Sequence, residues 1–281
     1  MADGATPYQG LDIDRHRVIP GSTVNLESIA TDDTGPITDR EAAREALKEI
    51  RKDIVDLQER LYAESRQSFL VVLQAMDTAG KDSTIRKVAS GINPQGCRVY
   101  SFKVPSANEL ARDFLWRVHA NVPPKGHIAI FNRSHYEDVL VVRVKGLAPP
   151  ELIEKRYDYI NEFERMLGSH GTRIIKVMLH VSKAYQLERL RRRLIRPDKR
   201  WKFNPGDLKE RARWDRYMEA YEVALSRCST EHAPWYVVPA ETRWYRNLVV
   251  ALLIRNTLSA MDPQLPRLDY DPADYPPESL T

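Results

Sequence analysis

The stretch Phe69-Leu-Val-Val-Leu-Gln-Ala-Met-Asp-Thr-Ala-Gly-Lys-Asp-Ser-Thr84 decides how the rest of the chain is read. Its apolar run from Phe69 to Leu73 has the composition of a parallel strand buried on both faces. The chain then turns through small residues to Ala79-Gly80-Lys81, and Ser83-Thr84 open a helix. Strand, loop, Gly-Lys and helix make the layout of a phosphate-binding loop. Backbone N–H groups and the positive end of the helix face the anion, and the lysine adds a charge. The bland alternative is a tight turn with an exposed lysine.

The match to G-x-x-x-x-G-K-[ST] is imperfect. That pattern asks for glycine at position 75 and Ser or Thr at 82, where this chain has Ala75 and Asp82. The missing hydroxyl is the one that ordinarily holds Mg2+. Asp77, however, puts a carboxylate inside the loop. It would repel phosphates unless a divalent cation lay between. The loop therefore suggests a metal-bridged phosphate site with its metal ligand moved to Asp77.

Outward from the loop, apolar strands alternate with amphipathic helices. Upstream, Thr38-Asp-Arg-Glu41 reads as a capping box, followed by a helix to about residue 63 with Ala43, Leu47, Ile50, Ile54, Leu57 and Leu61 on one face. Downstream, strands are expected at 69–74, 98–102, 127–131, 173–179 and 235–238. Helices are expected at 81–90, from the capping box Ser106–Glu109 through Val118, from Pro150 to a stop at Gly168, across 183–228 with breaks at Pro197 and Asn204-Pro205-Gly206, and at 242–260. Five short strands separated by helices predict an α/β chain, a five-stranded parallel sheet covered on both faces. Residues 1–37 are expected to form an irregular arm, 38–262 the main domain and 263–281 an extended tail. In such sheets ligands bind beyond the carboxyl ends of the strands. The loop at 75–84 should therefore share an edge with the residues after 131 and after 179.

Two clusters lie at those places. After the third strand comes Asn132-Arg133-Ser134-His135-Tyr136-Glu137-Asp138. Asn132 could hold a metal and Arg133 a phosphate oxygen. Glu137 and Asp138 could add coordination or position an acceptor. A solvated helix start, where acids are favoured anyway, is the competing account. His135 reads as structural. After the fourth strand, Arg189, Arg191, Arg192, Arg193, Arg196, Lys199, Arg200 and Lys202 face only Asp198. Such runs are commonly solvated helix faces, but this one has the proline breaks of a flap closing over a transferring phosphate, and its charge suits a long polyanion. Lys103 lies at the same edge, after the second strand.

Composition narrows the classes further. Apolar residues at 42% and charged residues at 29% are ordinary for a soluble globular protein. A net charge of +4 is too small for bulk nucleic-acid binding, and two distant cysteines argue against a disulfide or zinc framework. The opening Met-Ala-Asp-Gly-Ala-Thr has no signal-peptide character, and no apolar run approaches the ~20 residues that span a bilayer, so a cytoplasmic location without membrane partners is expected.

Three motifs together, Ala75–Thr84, Asn132–Asp138 and Arg200-Trp-Lys-Phe-Asn-Pro-Gly-Asp207, resemble the second family of polyphosphate kinases, over about residues 40–255. The resemblance implies a P-loop kinase fold, a three-layer α/β/α arrangement with a helical lid at about 183–228. It also implies Mg2+-dependent phosphoryl transfer between inorganic polyphosphate and a nucleotide, with Mn2+ an alternative ion. Carried over by position, Asp77 resembles the metal-binding aspartate, and Gly80 and Lys81 match the phosphate-cradling pair. Arg133 matches the arginine after the third strand, and Arg189 and Arg193 fall where lid arginines lie. The loop residues Ala79, Gly80, Lys81, Asp82, Ser83 and Thr84, with Lys103, Arg133, Arg193 and Lys202, make up the expected phosphate-binding set. Asp77, Asn132 and Glu137 make up the expected metal set. Many members have aspartate where Asn132 stands. The subgroup with Asn-Arg-Ser-His-Tyr-Glu-Asp accepts both nucleoside mono- and diphosphates, adenine or guanine nucleotides are the partners expected for this chain, and Glu137 is expected to supply the missing carboxylate. The family also forms homodimers or homotetramers. An ATP-dependent nucleoside monophosphate kinase and a non-catalytic polyanion-binding module remain as alternatives.

Overall fold

The apolar runs become five parallel strands, and the helices between them cover the sheet. The structure, a computed structural model, describes residues 11–277; the start of the expected arm and the end of the expected tail lie outside the described residues. In chain order the elements are α1 (Arg40–Glu64), β1 (Ser68–Ala75), α2 (Lys81–Val88), β2 (Cys97–Ser101), α3 (Ala107–Leu110), α4 (Trp116–His119), β3 (Ile128–Asn132), α5 (Val141–Lys145), α6 (Pro150–Ser169), β4 (Thr172–His180), α7 (Lys183–Ile195), α8 (Gly206–Arg211), α9 (Trp214–Cys228), β5 (Trp235–Pro239) and α10 (Arg243–Met261). The sheet order is β2-β3-β1-β4-β5. Every residue of β1 is buried, as a central strand covered on both faces requires.

Register sets the site. Leu73 of β1 lies beside Asn132 of β3, Ala75 beside Leu179 of β4, and Ser101 of β2 beside Asn132. The carboxyl ends of all these strands therefore share one edge. The chain leaves β1 to build the β2–β3 side and later the β4–β5 side, so the crevice where the topology switches opens above Ala75.

Several local expectations change. Asp39, not Thr38, caps α1: its carboxylate accepts from Glu41 and Ala42 N–H. The helix expected from Ser106 breaks into α3 and α4, because the Asp113 carboxylate accepts the Leu115 N–H and offers the backbone a turn instead. Gly168 stays inside α6, and the reversal falls at Gly171, whose φ of 88° suits glycine. The described part of the arm lies along β5, with Val18 N–H bonded to Trp235 O at 2.8 Å and Leu26 N–H to the Glu222 carboxylate at 2.7 Å. Two buried histidines pin it: His16 Nε2 meets Tyr245 Oη at 3.0 Å, and His180 Nε2 meets Leu26 O at 3.1 Å. Among the described residues no helix is long and apolar enough to cross a membrane.

Candidate active site

Beyond Ala75 the loop is held in an unusual backbone. Thr78 has φ 71° and Gly80 φ 110°, and across the crevice Arg133 has φ 64°. A left-handed conformation costs a residue with a side chain roughly 1–2 kcal/mol. Such outliers collect at functional sites, where surrounding contacts enforce them. Here Arg133 N–H is tied to Leu73 O at 3.0 Å.

Lys81 is not the exposed lysine of a simple turn. It is buried, and its ammonium donates to Ala75 O at 2.8 Å beneath the loop. Burial, then the Arg133 charge, lower its pKa, while Asp77, Glu137 and Asp82 oppose them. The three acids therefore surround the lysine. Arg133 bonds the Asp77 carboxylate at 2.6 Å, Asn132 Nδ2 donates to Asp82 at 2.7 Å, and Gln74 Nε2 donates to Glu137 at 2.9 Å. The end of β1, the loop and the Asn132–Asp138 segment thus form one interlocked unit.

A buried ionic group supports that unit from behind. Lys176 on β4 donates to Glu164 of α6, to Tyr136 Oη at 2.8 Å and to Cys228 O at 2.6 Å. Glu164 also accepts from Tyr136 Oη at 3.0 Å and pairs with His135 Nε2 at 3.1 Å. Burial alone would raise the Glu164 pKa, but the Lys176 ammonium and the His135 bond bring it below its ordinary value. His135 is structural, as the sequence suggests. Asp138 pairs with Arg156 at 3.3 Å and does not line the cleft.

The cleft above the loop measures about 540 Å³. Of the expected residues, Asp77, Gly80, Lys81, Asp82, Ser83, Lys103, Asn132, Arg133, Arg189, Arg193 and Lys202 line it. Ala79 and Thr84 do not: Ala79 is buried with its carbonyl accepting from Arg246, and the buried Thr84 hydroxyl donates to Gly80 O. Glu137 stands just behind the wall, where burial and then its charge raise the pKa of Tyr221. Arg193 donates to Asp207 at 3.0 Å and to Lys202 O at 3.1 Å, folding the segment after α7 back on itself.

Sequence reasoning missed several groups here. Arg243 and Arg246 at the start of α10 line the cleft, with Tyr185 and Arg86. The rule that directs attention to strand ends applies to β5 as well, and would have found the two arginines. Asp207 is buried, and its pKa is raised by burial and then by Asp77, against the pull of Arg193 and Arg133. It stood in a quoted motif without a role. In all, twelve Lys or Arg line the cleft against Asp77 and Asp82, an arrangement built for several phosphates at once. Burial pushes Cys97 up to about 11 and Cys228 up to about 12, so neither is a thiolate nucleophile at neutral pH.

The donor set fits a hard divalent cation that keeps water and substrate oxygens as ligands. No group of three His, Cys, Asp or Glu converges among the described residues, so an all-protein cage is not what these residues offer. Mg2+ typically needs only one or two carboxylates beside phosphates. Asp77 lines the cleft, and Gln74 Oε1 and Thr78 Oγ1 are buried oxygens around the loop without a hydrogen-bond partner.

The family model described as Polyphosphate kinase 2 (PPK2) matches residues 37–266. The chain is 54% identical over 254 residues to the AMP/ADP-polyphosphate phosphotransferase of Meiothermus ruber, covering 90% of this chain and 95% of that protein. It is 43% identical to the ADP-polyphosphate phosphotransferase of Rhodopseudomonas palustris, over 89% of this chain and 91% of that one. The crystal structure of Polyphosphate Kinase 2 from Arthrobacter aurescens TC1 superposes with a TM-score of 0.89 at 41% identity, covering 96% of this chain and 94% of that one.

Proposed function

The chain belongs to the polyphosphate kinase 2 family, and we propose that within it this protein phosphorylates both nucleoside mono- and diphosphates, adenine or guanine, with Mg2+ as its ion. It transfers phosphoryl groups between polyphosphate and nucleotides. The observation that carries the reading is the phosphate-binding loop with Asp77 bonded to Arg133 at the foot of a cleft lined by twelve cations. The similarity to a relative named for both AMP and ADP supports the two acceptors.

In the forward direction a terminal phosphate oxygen of the nucleotide attacks the end phosphorus of polyphosphate. The new P–O bond forms as the old P–O–P bond breaks, and the shortened polyphosphate leaves with that bridging oxygen and its electrons. The attacking oxygen is already deprotonated near neutral pH, so no strong general base is needed, and positioning and charge neutralisation do most of the work. Lys81 and the loop N–H groups hold phosphates, and Arg133 and Arg193 neutralise charge on the transferring group. Asp77 would hold the divalent ion, with Asn132 and Glu137 completing its surroundings; Mn2+ suits the same oxygens. When bound, the ion supplies charge neutralisation between donor and acceptor phosphates.

The segment 183–228 acts as the lid. The protein works in the cytoplasm as a homodimer or homotetramer. The test is ATP formation from AMP and, separately, from ADP, with polyphosphate and Mg2+ and no other nucleotide. Conversion of ADP alone would refute the dual acceptor range. Conversion of neither would refute the reading as a whole.

A further inference from the structure

We propose that Gln186 is a positioning residue for the phosphoryl transfer: it aligns the Asp77–Thr78 peptide of the loop, and Arg211 keeps it in place only while α8 is packed on the root of α7. This rests on the reading above that the loop serves phosphoryl transfer. Three carbonyls of the loop, at alternate residues, are held by side chains from three different helices. Ala75 O accepts from Lys81 of α2 at 2.8 Å, Asp77 O from Gln186 of α7 at 3.2 Å and Ala79 O from Arg246 of α10 at 2.9 Å. The helices α2 and α10 pack on the sheet. The helix α7 instead opens the segment 183–228, and Gln186 lies in its first turn.

The Asp77–Thr78 peptide is the one that needs holding. Thr78 has φ 71°, and its buried hydroxyl has no hydrogen-bond partner, so its own side chain does not secure the turn. A left-handed residue with a side chain relaxes unless surrounding contacts hold it. The Gln186 bond supplies such a contact, on the residue whose carboxylate meets Arg133.

Gln186 is 1% exposed, and both ends of its amide are used. Nε2 donates to Asp77 O, and Oε1 accepts from Arg211 Nη1 at 3.1 Å. A carbonyl only accepts and a guanidinium only donates, so the place calls for an amide rather than a carboxylate or an apolar group. Arg211 stands on α8 and also donates to Lys183 O, where α7 begins. Arg193 of α7 meets Asp207 of α8 at 3.0 Å, a second tie between the same two helices. The hydrogen bonds of Arg211 go to Lys183 and Gln186 and none goes to the loop, so the loop senses α8 through Gln186. When α8 lifts, Oε1 loses its donor. A buried amide oxygen left unpaired is costly, so the amide turns to a new partner and releases Asp77 O. Packing of α8 and alignment of Asp77 are then one event.

The experiment uses the full chain with Gln186→Met, Arg211→Met and the pair. Backbone amide exchange at residues 76–80 is read in the ligand-free protein, beside kcat, KM, the Mg2+ concentration for half-activity and thermal unfolding. Loss of one hydrogen bond of ordinary strength predicts for Gln186→Met a fall of roughly tenfold in kcat and a similar rise in loop exchange. KM for ADP and for polyphosphate should move by less than about twofold, and the Mg2+ requirement should rise. Arg211→Met, at a half-buried position, should loosen the loop in the same way although it does not touch it, and Arg211→Lys should recover part of the loss. That arm decides the matter even where Gln186→Met fails to fold. The pair should be no worse than Gln186→Met alone. Lower thermal stability with kcat, Mg2+ requirement and loop exchange unchanged would overturn the positioning role, and strict additivity of the pair would overturn the link to α8. An unaltered chain that forms no ATP from polyphosphate would overturn the functional reading and this role with it, whereas an active chain whose variants keep full kcat would overturn this role alone.

Discussion

Replacing Gly80 by alanine tests how the loop is held. Gly80 has φ 110°, which alanine reaches only with strain, and a Cβ there would press far inside van der Waals contact with the Arg246 guanidinium and lie 3.2 Å from Ser83 Oγ. Backbone strain of this kind costs about 1–3 kcal/mol. The end of a free arginine would swing aside, but Arg246 is 2% exposed and bonded to Ala79 O and Ser83 Oγ. Expelling it forfeits bonds to a charged group worth roughly 1.5–3 kcal/mol each. Together these place the cost to the loop on the order of 4–9 kcal/mol, or a loss of about 10³-fold or more in kcat/KM. The assay is ATP formation from ADP and polyphosphate, beside thermal unfolding to confirm that the chain still folds. A double-mutant cycle with Arg246→Ala separates the two causes. Once the guanidinium is gone the alanine meets only the φ cost, so the pair should be milder than the sum of the singles by the cost of expelling the guanidinium, about 3–6 kcal/mol. Gly80→Ala with kcat/KM near the unaltered value, or a strictly additive cycle, would refute the reasoning.

Three further perturbations follow from the same geometry. Asp77→Ala should lower kcat by about 10²-fold or more, the usual scale for a group that stabilises transition-state charge, and raise the Mg2+ concentration needed for half-activity; unchanged Mg2+ dependence would remove Asp77 from the metal site. Glu164→Gln leaves the Lys176 ammonium buried without its counter-charge and should cost about 3–5 kcal/mol in urea unfolding, whereas Glu164→Gln with Lys176→Met should recover much of that; equal loss in both would mean packing, not charge, holds the pair. His16 is lowered to about 4, chiefly by burial and then by Arg15, against 6.5 when unperturbed. The unfolded chain therefore takes up the proton first as pH falls. Its contribution, about 3 kcal/mol, is complete above pH 6.5 and is lost progressively towards pH 4. His16→Gln should flatten the dependence of stability on pH across that window, and an unaltered slope would count against it.

Much of this molecule is written locally. The central strand was legible because five of its eight buried residues, Phe69 to Leu73, form an unbroken apolar run. The α6 face was legible because Ile153, Tyr157, Ile160, Phe163 and Leu167 recur at helical spacing, and all five are buried. The parallel class followed from strands alternating with helices. Its edge rule led to Asp77, Lys81, Asn132 and Arg133, which the register of β1 against β3 brings together. Boundaries were less legible, since a side-chain hydrogen bond such as that of Asp113 can end a helix whose spacing would continue it.

The sequence by itself determined the elements, the parallel class and the phosphate loop, because strand burial, helical periodicity and a Gly-Lys turn are properties of neighbouring residues. It also named the arginines without saying which of them act together. Only the tertiary structure decided that Lys81 is clamped under the loop, that Arg193 stands with Asp207, and that Arg189 faces Arg243 and Arg246 from a helix more than 50 residues away. The physical reason is that charge partners are set by which strand ends adjoin, and nothing in the spacing along the chain records that adjacency.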